Sequence, residues 1–223
     1  RQDEVSKNLT PLLQSEYSLV STVQELVNTN TIDDDQLRMM FVCCHPALST
    51  EAQVSLILKT LCGFSVTEIA KAFVTGYDTI EKRLTRARQS FRENNVQFEL
   101  PAANELDSRL DNVLLAIYLL FNEGYNSSHP DHLIRHDLCE EAMRLCLLLI
   151  NNSVTNTPKV QALLALMCFQ ASREDARLGD DGGIILLKDQ DRSRWSQPLI
   201  EKGKFYLEHS AEGNVFSEYH LEA

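Results

Sequence analysis

Five basic side chains, Lys82, Arg83, Arg86, Arg88 and Arg92, fall between positions 82 and 92 with no acid among them. A guanidinium can bridge guanine O6 and N7 and an ammonium can hold a phosphate, so such a run can read or grip nucleic acid, each good base contact being worth about 1–3 kcal/mol of discrimination. The same run is also what a solvated face near a helix C-terminus looks like, where the dipole favours cations. Two other groupings carry chemistry. His129, His132, His136 and Cys139 are metal-ligand types. Pro130 interrupts them and no second ligand pair completes a tetrahedral set, so they read as solvated or capping histidines and no metal is expected. Asn122-Glu123-Gly124-Tyr125 together with Asp189, Asp191, Arg192, Arg194 and Trp195 sets paired carboxylates beside Arg and Trp. One reading is a candidate regulatory pocket formed by Glu123, Tyr125, Asp189, Asp191, Arg192, Arg194 and Trp195. The other is an Asp–Arg network tying a loop to the helices, with Trp195 as its apolar plug. No nucleophile or phosphate loop accompanies these acids, so no enzyme activity and no cofactor are expected.

The elements that must position the basic run are helices. Leu37, Met40, Phe41 and Cys44 keep the spacing of one helical face up to Pro46, and Val54, Ile57, Leu58 and Leu61 do so up to Gly63. Cys44 belongs to that stripe, so Cys43, Cys44 and His45 read as packing rather than as ligands. A third helix of about ten residues is predicted from Ser65, which with Glu68 forms a capping box and buries Val66, Ile69, Ala70 and Phe73. After a turn at Thr75 and Gly76, a fourth helix buries Ile80, Leu84, Ala87 and Phe91. Its opposite face carries Thr79, Lys82 and Arg86, with Asp78 and Gln89 beside them and Arg83 on the flank. A short capped helix, a tight turn and a basic outward helix are the parts of a helix-turn-helix reader of the major groove.

Charge is unevenly spread. The net charge is -11, but residues 51–95 carry seven Lys/Arg against five Asp/Glu, whereas residues 100–223 carry 11 against 19. Only the segment with the helix-turn-helix pattern is basic, and an acidic module beside it could compete with DNA for Lys82 and Arg86. No apolar run approaches the roughly 18 residues of a bilayer span, so no membrane helix is expected. Six dilute cysteines, two of them adjacent, fit reduced thiols and a cytoplasmic location better than a disulfide scaffold. Few Gly and Pro, many Leu and Ala and few β-branched runs point to an all-α fold. The chain starts with Arg1 and an acidic stretch without the apolar core of a secretory signal, and reads as a fragment or processed chain.

The string SVTEIAKAFVTGYDTIEKRLTRARQSFRE resembles region 4 of sigma factors of the extracytoplasmic-function group, in the sigma-70 family. Glu68-Ile69-Ala70 and then Thr79-Ile80, Arg83-Leu84 and Arg86-Ala87-Arg88 carry the likeness without a gap. FVCCHPALSTEAQVSLILKTLCGFS upstream, and LAIYLLFNEGY and LLKDQDRSRW downstream, are similar to a subgroup with a helical, tetratricopeptide-like extension. The resemblance runs from about residue 33 to the end. It implies that the fourth helix reads the −35 promoter element and that the domain docks on the β flap of the RNA polymerase core. The implied DNA contacts are Asp78, Thr79, Lys82, Arg83, Thr85 and Arg86, with Arg88 on a phosphate. The turn departs from the family pattern at Val74 and Gly76, and Glu81 sits near the groove. Region 2, which melts the promoter in this family, is not expected in this chain, whose first 36 residues are too few and too acidic to hold it. The expected division is therefore a linker over 1–34, a helix-turn-helix domain over 35–95 and a helical extension over 100–223 that could take a regulatory partner.

Within that extension, Leu106, Leu110, Val113, Leu114, Ile117, Leu120 and Phe121 describe an amphipathic helix, and comparable patterns recur at 138–149 and 160–171. Pro158 suits a first helical turn. A short strand is expected over Ile184–Leu187 and a last helix from Pro198 to His209. No self-repeat at tetratricopeptide period is visible, so that likeness rests on the resemblance alone.

Overall fold

The structure is a computed structural model, and it describes residues 32, 34–96, 101–128, 133–179, 183–211 and 215–223. It is all-α. The helices are α1 (Asp35–Cys43), α2 (Thr50–Thr60), α3 (Val66–Ala72), α4 (Tyr77–Glu93), α5 (Ala103–Tyr125), α6 (His136–Asn151), α7 (Pro158–Ala171), α8 (Glu174–Arg177), α9 (Gln197–Ser210) and α10 (Glu218–Glu222), with 3₁₀ turns at Leu187–Asp189 and Arg192–Arg194. The expected strand over 184–187 is reduced to a single antiparallel bridge between Leu178 and Ile184, after which the chain turns into the first 3₁₀ segment. A lone bridge has no third strand to extend it, and the isoleucines here face half-exposed surface rather than a sheet. The expected linker 1–34 lies outside the described residues except for Ile32 and Asp34.

Local sequence explains most helix ends. Asp34 caps α1 by accepting from Leu37 N at 2.8 Å. Gly63, at φ +74, follows α2 where a side chain would be strained. Pro158 opens α7 at its first turn. α3 is shorter than its sequence pattern, at seven residues, because Phe73 already leaves helical geometry and Val74 turns left-handed.

α5, 23 residues long, is the axis of the fold and packs against α1, α2 and α3 as well as against α6 and α7. One apolar cluster runs from Leu37, Phe41 and Ile57 through Leu110, Val113 and Ile117 to Leu145, Leu163 and Met167. The helix-turn-helix segment and the extension thus share a core. α7 departs from the amphipathic expectation: Val160 and every residue from Ala162 to Cys168 are buried, because α6, α9, α10 and α5 enclose it. Arg109 of α5 ties the halves further, donating from its guanidinium to Phe41 O at 3.2 Å and to Glu105 Oε2 at 2.7 Å. Arg144 of α6 reaches Asp34 Oδ2 at 2.7 Å. Among the described residues no helix is long and apolar enough to cross a membrane.

Candidate nucleic-acid interface

α3 is built for a tight start. Ser65 Oγ accepts from Glu68 N at 3.1 Å while Glu68 Oε2 accepts from Ser65 N at 2.6 Å, the reciprocal capping box the sequence predicts. The turn closes through Val74 N to Lys71 O and Thr75 N to Ala70 O, with Val74 at φ +49. Gly76 then caps α4 through its carbonyl alone. Ile80, Leu84 and Ala87 are buried against α2 and α3, and Phe91 is partly buried, so one stripe fixes the rotation of α4.

That rotation leaves Asp78, Thr79, Lys82, Thr85, Arg86 and Arg88 exposed. Six of the seven expected contacts therefore lie on the outer surface of α4. Arg83 does not. It is half-buried, its guanidinium 5.1 Å from the centre of the Phe73 ring and 3.4 Å from Ser55 Oγ, which makes it a strut from α4 to α3 and α2. Asp78, in the first turn of α4, is placed where the helix dipole favours an anion.

Between α4 and the start of α2 lies an open groove of about 490 Å³ lined by Ser49, Glu51, Thr79, Lys82, Arg83, Arg86 and Ser90. Three cations against one acid make it attractive to anions. The acid is Glu51, whose carboxyl is held below its usual range by its own backbone N–H and the Ser49 hydroxyl, with Arg83 adding to the effect. The Glu51 amide in the first turn of α2 is thus engaged by its own side chain. Tyr77, an exposed ring that the sequence reading passed over, donates to Glu81 Oε1 at 3.1 Å, and that carboxylate raises the phenol pKa. The bond anchors an acid beside the expected reading face. Its only sequence signal is the i, i+4 spacing of a donor and a carboxylate.

The second candidate set is distributed differently. Glu123 is buried at the end of α5 and accepts from Ser128 N at 2.8 Å, Ser128 Oγ at 3.0 Å and Ser127 Oγ at 3.3 Å. Tyr125 stacks on Phe121 and lies under the Arg177 guanidinium, 3.6 Å away, which also donates to Tyr125 O. Asp191 caps its own 3₁₀ turn through Ser193 N and Oγ at 2.9 and 2.7 Å. Arg192 lies 5.5 Å from the Trp195 ring, and Trp195 is half-buried. Asp189, Asp191, Arg192 and Arg194 are all exposed. Glu123 and Tyr125 thus serve the corner after α5, while the 189–195 segment caps itself at the surface beside α8.

His129 and His132 lie outside the described residues. His136 Nδ1 pairs with Glu174 Oε2 at 2.7 Å, and among the described residues no three His, Cys, Asp or Glu side chains gather into a metal set. Cys43 and Cys44 are buried as packing, and burial pushes the Cys43 thiol up to about 12.

Residues 109–211 match the model of a family of unknown function, DUF6596. That span starts inside α5 and ends just after α9, so it covers most of the extension and none of the helix-turn-helix. Over 190 residues, 85% of this chain, the sequence is 37% identical to an uncharacterized protein of Rhizobium meliloti (strain 1021). The match takes in 45% of that protein, so the chain spans less than half the length of the curated relative. No solved structure matches.

Proposed function

We propose that residues 35–95 read duplex DNA as region 4 of an extracytoplasmic-function sigma factor does, directing RNA polymerase core to the −35 promoter element through a domain that also docks on the β flap. The helical extension, tetratricopeptide-like by resemblance, is then a regulatory module open to a partner. Such work beside DNA and polymerase is cytoplasmic and needs neither catalysis nor a cofactor. The observation that carries the reading is the state of the cations on α4: Lys82, Arg86 and Arg88 are exposed and, among the described residues, paired with no acid, on the second helix of a capped helix-turn-helix. Among the described residues the acidic extension packs on α1, α2 and α3 and forms no ion pair with these cations, which supports the reading.

Binding to a labelled duplex pool carrying −35-like elements, measured at two salt concentrations, tests this. The chain is expected to bind with a steep salt dependence, because each phosphate contact releases a counterion. Lys82→Ala/Arg86→Ala is expected to lose that binding and flatten the slope. Equal, weak binding by both proteins overturns the proposal and returns α4 to a solvated face on a helical interaction module. Pull-down of polymerase core by the wild-type chain tests the second partner.

A further inference from the structure

The corner between α5 and α6 holds more polar chemistry than its own fold needs, and part of it leaves the extension altogether. Glu123 gathers Ser127 and Ser128 beneath it, fixing the start of the loop. Arg135 N donates to Gly124 O at 2.7 Å, fixing the loop's end against the same helix terminus. A methyl group on Gly124 would come within 2.7 Å of Cys139 Sγ and 2.9 Å of Arg135 O, so only glycine admits this approach. Both ends of the loop are therefore rigidly placed, and each then reaches α3. Ser128 O accepts from Lys71 Nζ at 2.9 Å, and Arg135 NH1 meets Glu68 Oε1 at 3.4 Å. Glu68 is the capping-box acid, with its other oxygen on Ser65 N. Two contacts from one corner thus grip the two ends of the helix that sets the angle of α4.

We propose that Arg135, with Lys71 on Ser128 as its companion, is a positioning residue for DNA reading: the corner fixes α3, and through α3 the presentation of α4. The idea rests on the DNA-reading proposal above and goes beyond it in giving the DUF6596-like segment a stated task toward the reader. The geometry favours this over plain cohesion. α1 and α2 bury five and seven of their residues, whereas α3 buries only Ile69 and Ala70, with Val66 partly buried beside them. A seven-residue helix is marginal by itself and is held by its tertiary contacts, which here are few enough for the two polar ones to count. Among the described residues the Arg135 guanidinium pairs with Glu68 of α3 and Asp137 of α6 and with no residue of α4, so its tie to the reading helix runs through α3.

The experiment compares the intact chain with Arg135→Met, Arg135→Lys and Lys71→Gln in duplex binding across a salt series, alongside thermal unfolding. Arg135→Met is expected to weaken −35 binding about fivefold with the salt slope unchanged, because the phosphate contacts remain and only their alignment suffers. Arg135→Lys restores the charge beside Glu68 and most of the affinity, which a merely steric loss would not allow. Lys71→Gln, at an exposed position that leaves the fold intact, weakens binding in the same direction and carries the test if Arg135→Met fails to fold. Wild-type affinity in Arg135→Met, or in Lys71→Gln where it carries the test, overturns the proposal, as does equal loss in Arg135→Met and Arg135→Lys. No duplex binding by the unaltered chain would instead sink the DNA-reading proposal itself.

Discussion

The outward face of α4 and the corner between α5 and α6 are both dense in charged and polar side chains, yet they dispose of them in opposite ways. At the corner, Glu123, Arg135 and Arg177 are each taken up by a backbone or side-chain partner within the protein. On α4, Lys82, Arg86 and Arg88 stand exposed and unpaired among the described residues, while Glu81 on the same helix accepts from Tyr77. Charge that has been desolvated must be matched inside the protein, and charge left in water is available to something else. The difference in pairing, more than the number of charges, separates a structural polar cluster from a candidate binding face.

Breaking each side should therefore fail in a different observable. The largest effect is expected at the corner. Gly124→Ala forces a methyl group against Cys139 and Arg135 backbone atoms, and overpacking of this kind should cost about 3 kcal/mol, visible as a lowered midpoint in denaturant unfolding. A midpoint equal to wild type would show that the corner yields easily and is no rigid device. On α4, Lys82→Ala/Arg86→Ala should leave the unfolding midpoint within about 0.5 kcal/mol, as surface substitutions do, while duplex affinity falls on the order of 100-fold. A double mutant that instead loses stability would mean that these cations serve the fold after all.

Much of this was legible in the sequence for physical reasons. The spacing of Ile80, Leu84 and Ala87 set the rotation of α4, and Ser65 with Glu68 announced the start of α3, because periodic burial and capping are local properties. What stayed hidden depends on partners far along the chain. Arg83, which the resemblance counts among the DNA contacts, also meets Ser55, 28 positions away, and Phe73, and no local pattern announces either partner. Arg135 carries no signal at all without Glu68, 67 positions away. The pair Glu123 and Tyr125 reads as part of a pocket with 189–195, since sequence shows that acids and Arg co-occur but not that Asp191 is engaged by Ser193 in its own turn. α7 looked amphipathic because its terminal polar residues, Gln161 and Gln170, mark a face that the surrounding helices enclose over most of its length.

A smaller test lies in the turn that delivers α4. Val74 is a β-branched residue at φ +49 with 93% of its surface exposed, so it contributes little packing in exchange for its strain. A non-glycine residue in the left-handed region costs roughly 1–2 kcal/mol, of which glycine would return part after paying its own chain entropy. Val74→Gly is therefore expected to raise stability by about 1 kcal/mol in thermal unfolding without changing the salt slope of duplex binding. An unchanged or lower midpoint would mean that the exposed isopropyl group has a stabilising contact in solution.

The smallest effect should come from Asp34, where the extension touches the first helix. Burial works against its charge, but Leu37 N and the Arg144 guanidinium together hold its carboxyl below the usual range. A carboxyl whose folded pKa is depressed adds stability above its unfolded pKa and loses it as the pH falls through the folded value. Asp34→Asn keeps a side chain able to cap α1 and discards only the charge that meets Arg144, so near neutral pH it should cost roughly 0.5 kcal/mol, the scale of a partly exposed ion pair. The gap between wild type and variant should then close as the pH is lowered beneath the ordinary carboxylate range, and added salt should narrow it at neutral pH. Stability curves of the two proteins against pH that run parallel down to that range would show that the Asp34–Arg144 contact does not bear on folding. They would leave the apolar core, Arg109 and the two corner contacts to α3 as the ties between the helix-turn-helix and the extension, and would sharpen the contrast between a corner that positions α3 and a peripheral pair that positions nothing.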